Sequence, residues 1–386
     1  MAIKRRPSSK NPPILSHEFV IQNHADIVSC VAMVFVIGLM FQATAPYASM
    51  FVAMHHNVTN NATNDNERPD VITYTAGIKD ICVTFFYFLI CIVMHAIVQE
   101  YILDKLNRKM HLSKMKHSKF NESGHLLIFY LVSVLWGGDI IFRENFILNF
   151  SKLWDDYPHC EMQFMFKFFF IIQLSYWLHC FPELYFQKVK KEEMSARIQY
   201  AALHFVFFAA AYALNFTRVA LCLAVIHYLV ETIFHISRLL YFAEKTEIAN
   251  TGFMVWNSLF VLVRLGSITI TVLTFWYGLS LSSQPITNVA EGNFNTQIIR
   301  INGLLAVCLL QAWMMWNFIT FHLKRMRERG IISYNLKKRT PAKKEKKPKT
   351  GKSGAEDDFS LLPEADQNTK KLRLRSSATS SGKSKK

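Results

Sequence analysis

The chain has 386 residues, of which 51% are hydrophobic and 19% are charged, and its formal net charge is +16. Residues 322–386 contain 20 Lys and Arg against 7 Asp and Glu, so most of the excess charge lies in the last sixth of the chain. The remainder is nearly neutral and very apolar, which excludes an ordinary soluble protein of two or three domains.

The N-terminal segment, residues 1–26, starts with the basic, proline-interrupted stretch MAIKRRPSSKNPP, and we expect no cleavable signal peptide. We predict that this segment lies in the cytosol and that the first membrane helix acts as the targeting signal. The seven cysteines show neither zinc-site nor CxxC spacing, and six of them fall in apolar runs. No disulfide framework is therefore expected.

Apolar runs of about 20 residues, the length that crosses a bilayer core, recur along the chain. They predict an all-α fold, a polytopic membrane helix bundle with eight transmembrane helices. Asp139 and Lys167 fall near span ends, where their side chains are expected to snorkel to the interface. The aromatic residues of 164–170 are expected to face lipid. The eight predicted spans are Ile27–Tyr47, Ile81–Val98, Leu126–Phe146, Met162–Phe181, Ile198–Asn215, Ala220–Leu240, Phe253–Leu279 and Ile298–Phe321.

The connecting segments alternate in charge. Lys and Arg concentrate in the N-terminus, in the loops after the second and fourth spans, and in the C-terminus. The positive-inside rule therefore predicts that both termini are cytosolic. Two glycosylation sequons lie in the first, lumenal loop, and we expect a glycan at Asn57, with Asn61 as the second choice. Asn149 and Asn215 lie against predicted membrane helices and are expected to stay unmodified.

These elements divide the chain into four parts. Residues 1–26 form the cytosolic segment, 27–115 the first two spans with the glycosylated lumenal loop, and 116–328 a six-helix domain. Residues 329–386 have almost no apolar side chains for a core and are predicted to be a disordered, polybasic cytosolic tail. The tail is compatible with a solvated topology signal, with contact to anionic lipid headgroups, or with contact to ribosomal RNA.

The sixth span carries ionisable side chains on one face. His227, Glu231 and His235 stand at i, i+4 and i+8, and Arg238 follows three residues later, so all four share a sector of roughly 80°. Ionisable residues in membrane helices are costly and normally face the bundle interior or water. Other spans add His95, Gln173, His179, His204 and Arg264.

The predicted topology places most of these side chains in the cytosolic half of the membrane. Glu231 and Arg264 are expected nearer the middle, where the two could pair. The cytosolic-half group is His95, His179, His204, His235 and Arg238.

We call seven of these residues the polar stripe: His179, His204, His227, Glu231, His235, Arg238 and Arg264. Three interpretations are open. The stripe is a hydrogen-bonded cluster that fixes helix packing, a water-accessible crevice open to the cytosol and the bilayer, or a metal or catalytic centre that uses the H-x3-E-x3-H spacing. No loop supplies a convincing further ligand, so neither a metal nor a cofactor is expected.

Long strings of the sequence resemble the translocating chain-associated membrane protein family. The resemblance runs from about residue 15 to residue 329. The strings that carry it are LSHEFVIQNHADIVSC (Leu15–Cys30), IVQEYILDKLNRKMHLSKMKHSKFNESG (Ile97–Gly124), YWLHCFPELYFQKVKKEE (Tyr176–Glu193), HYLVETIFHISRLLYF (His227–Phe242) and EGNFN (Glu291–Asn295).

The resemblance implies a multi-pass protein of the endoplasmic reticulum membrane, beside the Sec translocon channel. It also implies eight spans and a glycan at Asn57. Its partners would be the channel, nascent signal sequences and transmembrane segments, phospholipids and, through the basic tail, the ribosome. The polar stripe would line a crevice that weakens the bilayer's barrier near the lateral gate of the channel.

Residues 116–328 resemble the domain of ceramide synthases, whose motif has adjacent histidines and a later H-D-x-x-D segment. Here His204 stands alone, Tyr228 replaces one acid, and Glu231 replaces the other. General acid–base work needs a positioned base and a partner that orients it. We therefore predict a non-enzymatic accessory protein, with a lipid-modifying acyltransferase as the alternative. A transporter is a third interpretation, but no inverted repeat supports it.

Overall fold

The computed structural model describes residues 16–59, 72–189 and 191–338. These residues are mainly helical, and the only strands among them form one short hairpin. The principal elements in chain order are α1 (His17–Gln22), α2 (His24–Gly38), α3 (Ala45–Val52), β1 (Asn57–Thr59), β2 (Ile72–Tyr74), α4 (Asp80–Val98), α5 (Asp104–Met110), α6 (Lys114–Arg143), α7 (Phe164–Phe186), α8 (Lys191–Ala213), α9 (Thr217–Phe242), α10 (Thr246–Val272) and α11 (Gln297–Lys338).

Two of these helices continue through irregular turns. A π-helical turn, Gln99–Leu103, joins α4 to α5. Beyond α10 the chain forms a π-helical turn, Leu273–Tyr277, and then a 3-10 turn, Gly278–Ser282. A further 3-10 turn, Phe150–Leu153, lies between α6 and α7.

Six helical segments in the described part of the chain are long and apolar enough to cross a membrane. A polytopic membrane helix bundle is therefore confirmed, and the six segments match the second, third, fourth, sixth, seventh and eighth predicted spans. The fifth predicted span forms α8, which begins with the charged residues Lys191, Glu192 and Glu193 and is not one of the six. The six segments are Asp80–Met110, Lys116–Arg143, Phe164–Phe186, Thr217–Phe242, Thr246–Ser282 and Gln297–Glu328.

The first predicted span, Ile27–Tyr47, is not one helix. Its first part forms α2, which ends at Gly38, and its last residues begin α3, which folds back against α2. A Cβ on Gly38 would lie 3.1 Å from the Ala48 Cβ, so the two helices approach closely there. Thr44 closes the turn by donating to the Gly38 carbonyl at 2.7 Å. Apolar composition continues through this turn and conceals it from a hydropathy argument.

The two ends of the bundle differ. At one end β1 pairs antiparallel with β2, with Asn57 opposite Tyr74, and Tyr74 also bridges to Met162 just before α7. We call this the sheet end. At the other end lie α5 and the turns that precede α6 and α8, and we call it the basic end because its exposed side chains include Lys105, Arg108, Lys109, Lys188 and Lys191.

Lys167 anchors the sheet end from inside the protein. Its ammonium lies 2.7 Å from the Asp80 carboxylate and donates to the carbonyls of His55 and Thr75, each at 2.8 Å. Tyr212 donates to the other Asp80 oxygen at 2.8 Å. The expectation that Lys167 snorkels to the interface is therefore wrong, because a buried partner on α4 compensates its charge.

The aromatic residues at the start of α7 are mostly internal. Phe166, Phe169 and Phe170 are buried, and Phe170 packs against Phe208 and Tyr212 of α8. The expectation that this segment as a whole faces lipid is wrong, although Phe164 is exposed. Composition alone does not distinguish lipid-facing aromatic residues from those that fill a core inside a membrane bundle.

The packing of the helices leaves one side open. The helix pairs with the most extensive contacts are α6 with α9, α9 with α10, α4 with α7, and α7 with α8. Helix α11 packs against α10 and the turn Leu273–Tyr277, and it makes at most slight contact with α8 and α9. A gap between α8 and α11 follows from this arrangement.

Candidate functional site

The polar face of α9 points into the bundle. Glu231, His235 and Arg238 are buried, and His227 is half-buried. Helices α6, α8 and α10 pack against α9 and cover this face. The four side chains do not share one cavity: six residues of the polar stripe are divided between two cavities, and Glu231 lines neither.

The first cavity opens at the basic end and has a volume of about 120 Å³; we call it the crevice. It brings together two members of the stripe on α9, His235 and Arg238, with His179 on α7. Its other polar lining residues come from four helices: His95, Glu122, His125, Glu183, Gln187 and Arg197.

Histidines and one carboxylate form the inner part of the crevice. The rings of His95 and His125 stack with their centroids 3.6 Å apart, and His179 Nε2 lies 3.4 Å from His95 Nδ1. His95 Nε2 is also 3.3 Å from the Glu183 carboxylate, which lies 4.0 Å from His24. This arrangement provides several hydrogen-bonding groups at membrane depth, on a surface that is otherwise apolar.

Charged residues form the outer part of the crevice. Arg197 donates to Glu122 at 2.9 Å and to Glu193 at 3.2 Å. Arg238 lies over the rings of Phe234 and Phe242, and its Nε has no hydrogen-bond acceptor among the described residues. Both signs of charge are therefore present, and the arginine retains donor capacity.

Sequence reasoning identified His95 and His179 but missed Glu183, His125 and Glu122. Glu183 follows His179 by four residues and shares its face of α7, so helical spacing contained a usable signal. His125 and Glu122 lie in the polar first turns of α6, where nothing in the sequence distinguishes an inward side chain from a solvated one.

The second cavity lies between α8, α9, α10 and α11 and has a volume of about 90 Å³. We call it the cleft. His204, His227 and Arg264 line it, together with Gln311 of α11. His204 was expected in the cytosolic half and Arg264 nearer the middle of the membrane, and the two line the same cavity. The rings of His204 and His227 are 5.5 Å apart, centroid to centroid.

Arg264 has neutral hydrogen-bond partners. It donates to His227 Nδ1 at 2.8 Å, to the Gln311 carbonyl at 2.9 Å and to the Met314 sulfur at 3.2 Å. The ion pair that we expected between Arg264 and Glu231 is not formed within 4 Å. His227, one turn away from Glu231 on α9, accepts from the guanidinium instead.

An aromatic wall separates the crevice from the cleft. Trp177 donates to the Tyr228 hydroxyl at 3.0 Å, and Tyr228 in turn donates to Gln173 at 2.9 Å. Next to this pair the hydroxyls of Tyr130 and Tyr200 lie 2.6 Å apart. Tyr228 stands where the ceramide synthase motif has an acid, and here its hydroxyl is committed to these two hydrogen bonds.

Within the described residues, no group of three or more His, Cys, Asp or Glu side chains has an arrangement that could hold a metal ion. His204 donates from Nδ1 to the Tyr200 carbonyl at 2.9 Å, and its ring stacks on Trp177 with centroids 4.1 Å apart. These contacts hold the ring in place and leave Nε2 as an acceptor.

The chain is similar to known proteins both in one domain and over most of its length. The TLC domain family matches residues 119–320. The chain is 44% identical over 342 residues to a Homo sapiens protein named translocating chain-associated membrane protein 2, covering 89% of this chain and 90% of the relative. The Mus musculus protein of that name is 44% identical over 328 residues, covering 85% and 86%. A sphingosine N-acyltransferase of Schizosaccharomyces pombe is 27% identical over 191 residues, covering 47% and 44%.

Proposed function

The chain belongs to the translocating chain-associated membrane protein family, and we propose that it is a non-enzymatic accessory of the protein translocation channel of the endoplasmic reticulum. It assists the insertion or translocation of nascent secretory and membrane proteins. Its partners are the Sec channel, nascent signal sequences and transmembrane segments, and surrounding phospholipids. The names of the two mammalian relatives support this role.

One observation carries the proposed mechanism, which is the crevice at the basic end. It holds Glu122, Arg197 and Arg238 beside a wall of apolar and aromatic side chains within helices of membrane length. A charged side chain at the bilayer centre costs on the order of 2.5–3.5 kcal/mol by insertion scales, and snorkelling and water defects reduce that cost. A polar, open crevice reduces it in the same way for the charged flank of an incoming signal sequence.

The length of α2 supports the same mechanism. Its 15 residues extend about 22 Å, whereas the hydrocarbon core of a bilayer is about 30 Å thick. A short helix is accommodated by local thinning of the bilayer. A thinner bilayer beside the lateral gate further lowers the barrier to a weakly apolar signal sequence.

The proposed topology has eight spans, the six long helices together with α2 and α8. The 23 residues of α8 extend about 34 Å, which suffices to cross the hydrocarbon core. An even number of spans places both termini on one side, and the basic end is the cytosolic end by the positive-inside rule. The sheet end, with the sequon at Asn57, is then lumenal, and the basic tail is free to contact the ribosome.

The test uses liposomes that contain the purified channel, with or without this protein, and signal sequences of graded hydrophobicity. The double substitution His235→Leu with Arg238→Leu removes two polar side chains from the crevice and should reduce insertion of weak signals several-fold, with strong signals unaffected. Arg143→Leu, which alters an exposed ion pair with Asp139 outside the crevice, is the matched control. Equal losses for weak and strong signals would contradict a local lowering of the barrier.

A second candidate function is acyl transfer to a lipid. The observation that favours it is the pairing of His204 with His227 in the cleft, in the region similar to the sphingosine N-acyltransferase. Purified protein incubated with an acyl-CoA and a sphingoid base or lysolipid tests it. Product formation that His204→Ala abolishes would establish this activity, and its absence in folded wild-type protein would exclude these substrates.

A further inference from the structure

The cleft contains a buried cation that the proposed insertion mechanism does not use. Arg264 is 1% exposed, and an arginine side chain keeps its proton inside proteins. Its acceptors are His227, Gln311 and Met314, none of which carries a negative charge when His227 accepts through Nδ1. The positive charge is therefore hydrogen-bonded but lacks a close anionic partner.

The remaining donor capacity of Arg264 is also unused. Its Nε is buried and has no acceptor among the described residues. Glu231 attracts the guanidinium, but it forms no ion pair within 4 Å and does not line the cleft. Buried charges in proteins are normally paired, because removing an ion from water is costly unless an opposite charge and hydrogen bonds replace the lost solvent.

The walls of the cleft are apolar and its mouth faces sideways. Because α11 has at most slight contact with α8, the cavity extends to the gap between these helices. At the mouth, Leu203 is 39% exposed and Trp313 is 59% exposed. The apolar wall residues are Leu203, Phe207, Leu223, Val307 and Leu310.

The depth of Arg264 restricts which ligands can reach it. It lies midway along the membrane-length segment Thr246–Ser282, 18 residues from either end (264 − 246 and 282 − 264). A small hydrophilic anion would have to cross the hydrocarbon core from the mouth of the cleft, which is unfavourable. A lipid molecule already lies in that region and can bring an anionic group with an acyl chain attached.

We propose that the cleft binds one membrane lipid with a net negative charge, whose carboxylate or phosphate accepts hydrogen bonds from Arg264. The acyl chain lies between α8 and α11, against Phe207 and Leu310. The cleft offers no carboxylate for a headgroup ammonium, which selects against zwitterionic lipids. The lipid site lies in the cleft and not in the crevice. Failure of the lipid proposal would therefore leave the insertion mechanism untouched, and the reverse also holds.

Photoactivatable lipids test the proposal on the purified full-length protein in detergent. Three probes carry the same diazirine-labelled acyl chain: phosphatidate, oleate and phosphatidylcholine. The two anionic probes should label residues of α8 and α11 that line the cleft, as mapped by peptide mass spectrometry, and phosphatidylcholine should not label them above background. Competition of each anionic probe by the other, unlabelled, distinguishes a phosphate headgroup from a fatty-acid carboxylate as the preferred group.

Substitutions then link the labelling to the cation. Arg264→Gln should lower labelling by roughly tenfold or more, as expected for loss of a charge-assisted hydrogen bond, and Arg264→Lys should retain most of it. Glu231→Gln removes a competing negative charge and should raise labelling. Arg218→Gln is the matched control, since Arg218 donates to the Lys152 carbonyl at the sheet end.

A steric variant keeps the test decisive if Arg264→Gln does not fold. Leu310→Trp fills the apolar path without altering the guanidinium, and it should also lose labelling while the thermal unfolding midpoint stays near that of the wild type. Undiminished labelling of folded Arg264→Gln or Leu310→Trp would overturn the proposal. Equal labelling of the cleft by phosphatidylcholine would overturn it as well.

Discussion

Trp177 donates its indole N–H to the Tyr228 hydroxyl at 3.0 Å, and this bond lies in the wall between the two cavities. Trp177 lines the crevice, whereas Tyr228 lines the cleft. Because Tyr228 also donates to Gln173 at 2.9 Å, one hydroxyl connects α7 and α9 through two hydrogen bonds. The wall is thus a specific polar structure inside an apolar core.

Tyr228→Phe should destabilise the protein by about 1–3 kcal/mol, because it leaves the buried Trp177 N–H without its acceptor and removes a donor to Gln173. The measurement is unfolding of purified protein in detergent, by denaturant or heat. Tyr277→Phe, at a side chain that is 60% exposed, is the matched control and should have little effect. Equal stability of both variants would contradict a structural role for the Tyr228 hydroxyl.

Lys167→Met should destabilise the protein by about 3–5 kcal/mol, because it leaves the buried Asp80 carboxylate without its cation. The double variant Lys167→Met with Asp80→Asn should recover part of that loss, since no buried charge then remains. Lys79→Met, at an exposed position beside Asp80, is the control. A double variant less stable than Lys167→Met alone would show that charge compensation is not the cause.

His159, at the sheet end outside the membrane spans, should make folding stability depend on pH. Burial lowers the pKa of His159 to about 4, from an ordinary value of 6.5. The unfolded chain therefore binds more protons between these values, so stability is full above pH 6.5 and falls as the pH is lowered toward 4. The shift corresponds to a loss on the order of 3 kcal/mol over that range.

His159→Gln should flatten this pH dependence without removing that of other buried histidines. The measurement is the difference in unfolding free energy between pH 7.5 and pH 5, compared for wild type and variant. A variant whose stability falls with acidity as steeply as the wild type would assign the effect to other groups.

A glycan should be present at Asn57 in protein made in cells with an oligosaccharyltransferase. Asn57 is exposed on β1, so its side chain is available to the enzyme. Asn215 is also in a sequon, but it is buried and donates to the Gly292 carbonyl at 2.9 Å, so it should stay unmodified. Glycosidase treatment should shift the mobility of the wild type but not of Asn57→Gln. A shift that persists in Asn57→Gln would direct attention to Asn61, which lies outside the described residues.

Hydropathy and spacing predicted six of the spans and the polar face of α9, but not the partners of the side chains on that face. Six spans could be found because about 20 apolar residues are needed to cross a bilayer, whatever their neighbours are. The burial of Lys167 could not be predicted, because its partner Asp80 lies on a different helix, far away in the sequence. The same holds for Arg264, since spacing along α9 identifies a polar face but not which of its residues a guanidinium on α10 will contact.

The length of α11 has a consequence for the basic tail. Its 42 residues extend about 63 Å, whereas a bilayer with its headgroups is about 40–45 Å thick. With the helix starting at the sheet end, roughly 20 Å of it stands clear of the membrane surface at the basic end. That is about two and a half screening lengths at physiological salt, so the lipid surface attracts charges at the end of the helix only weakly. The last turns of α11, up to Lys338, therefore extend beyond the lipid headgroups into the aqueous phase.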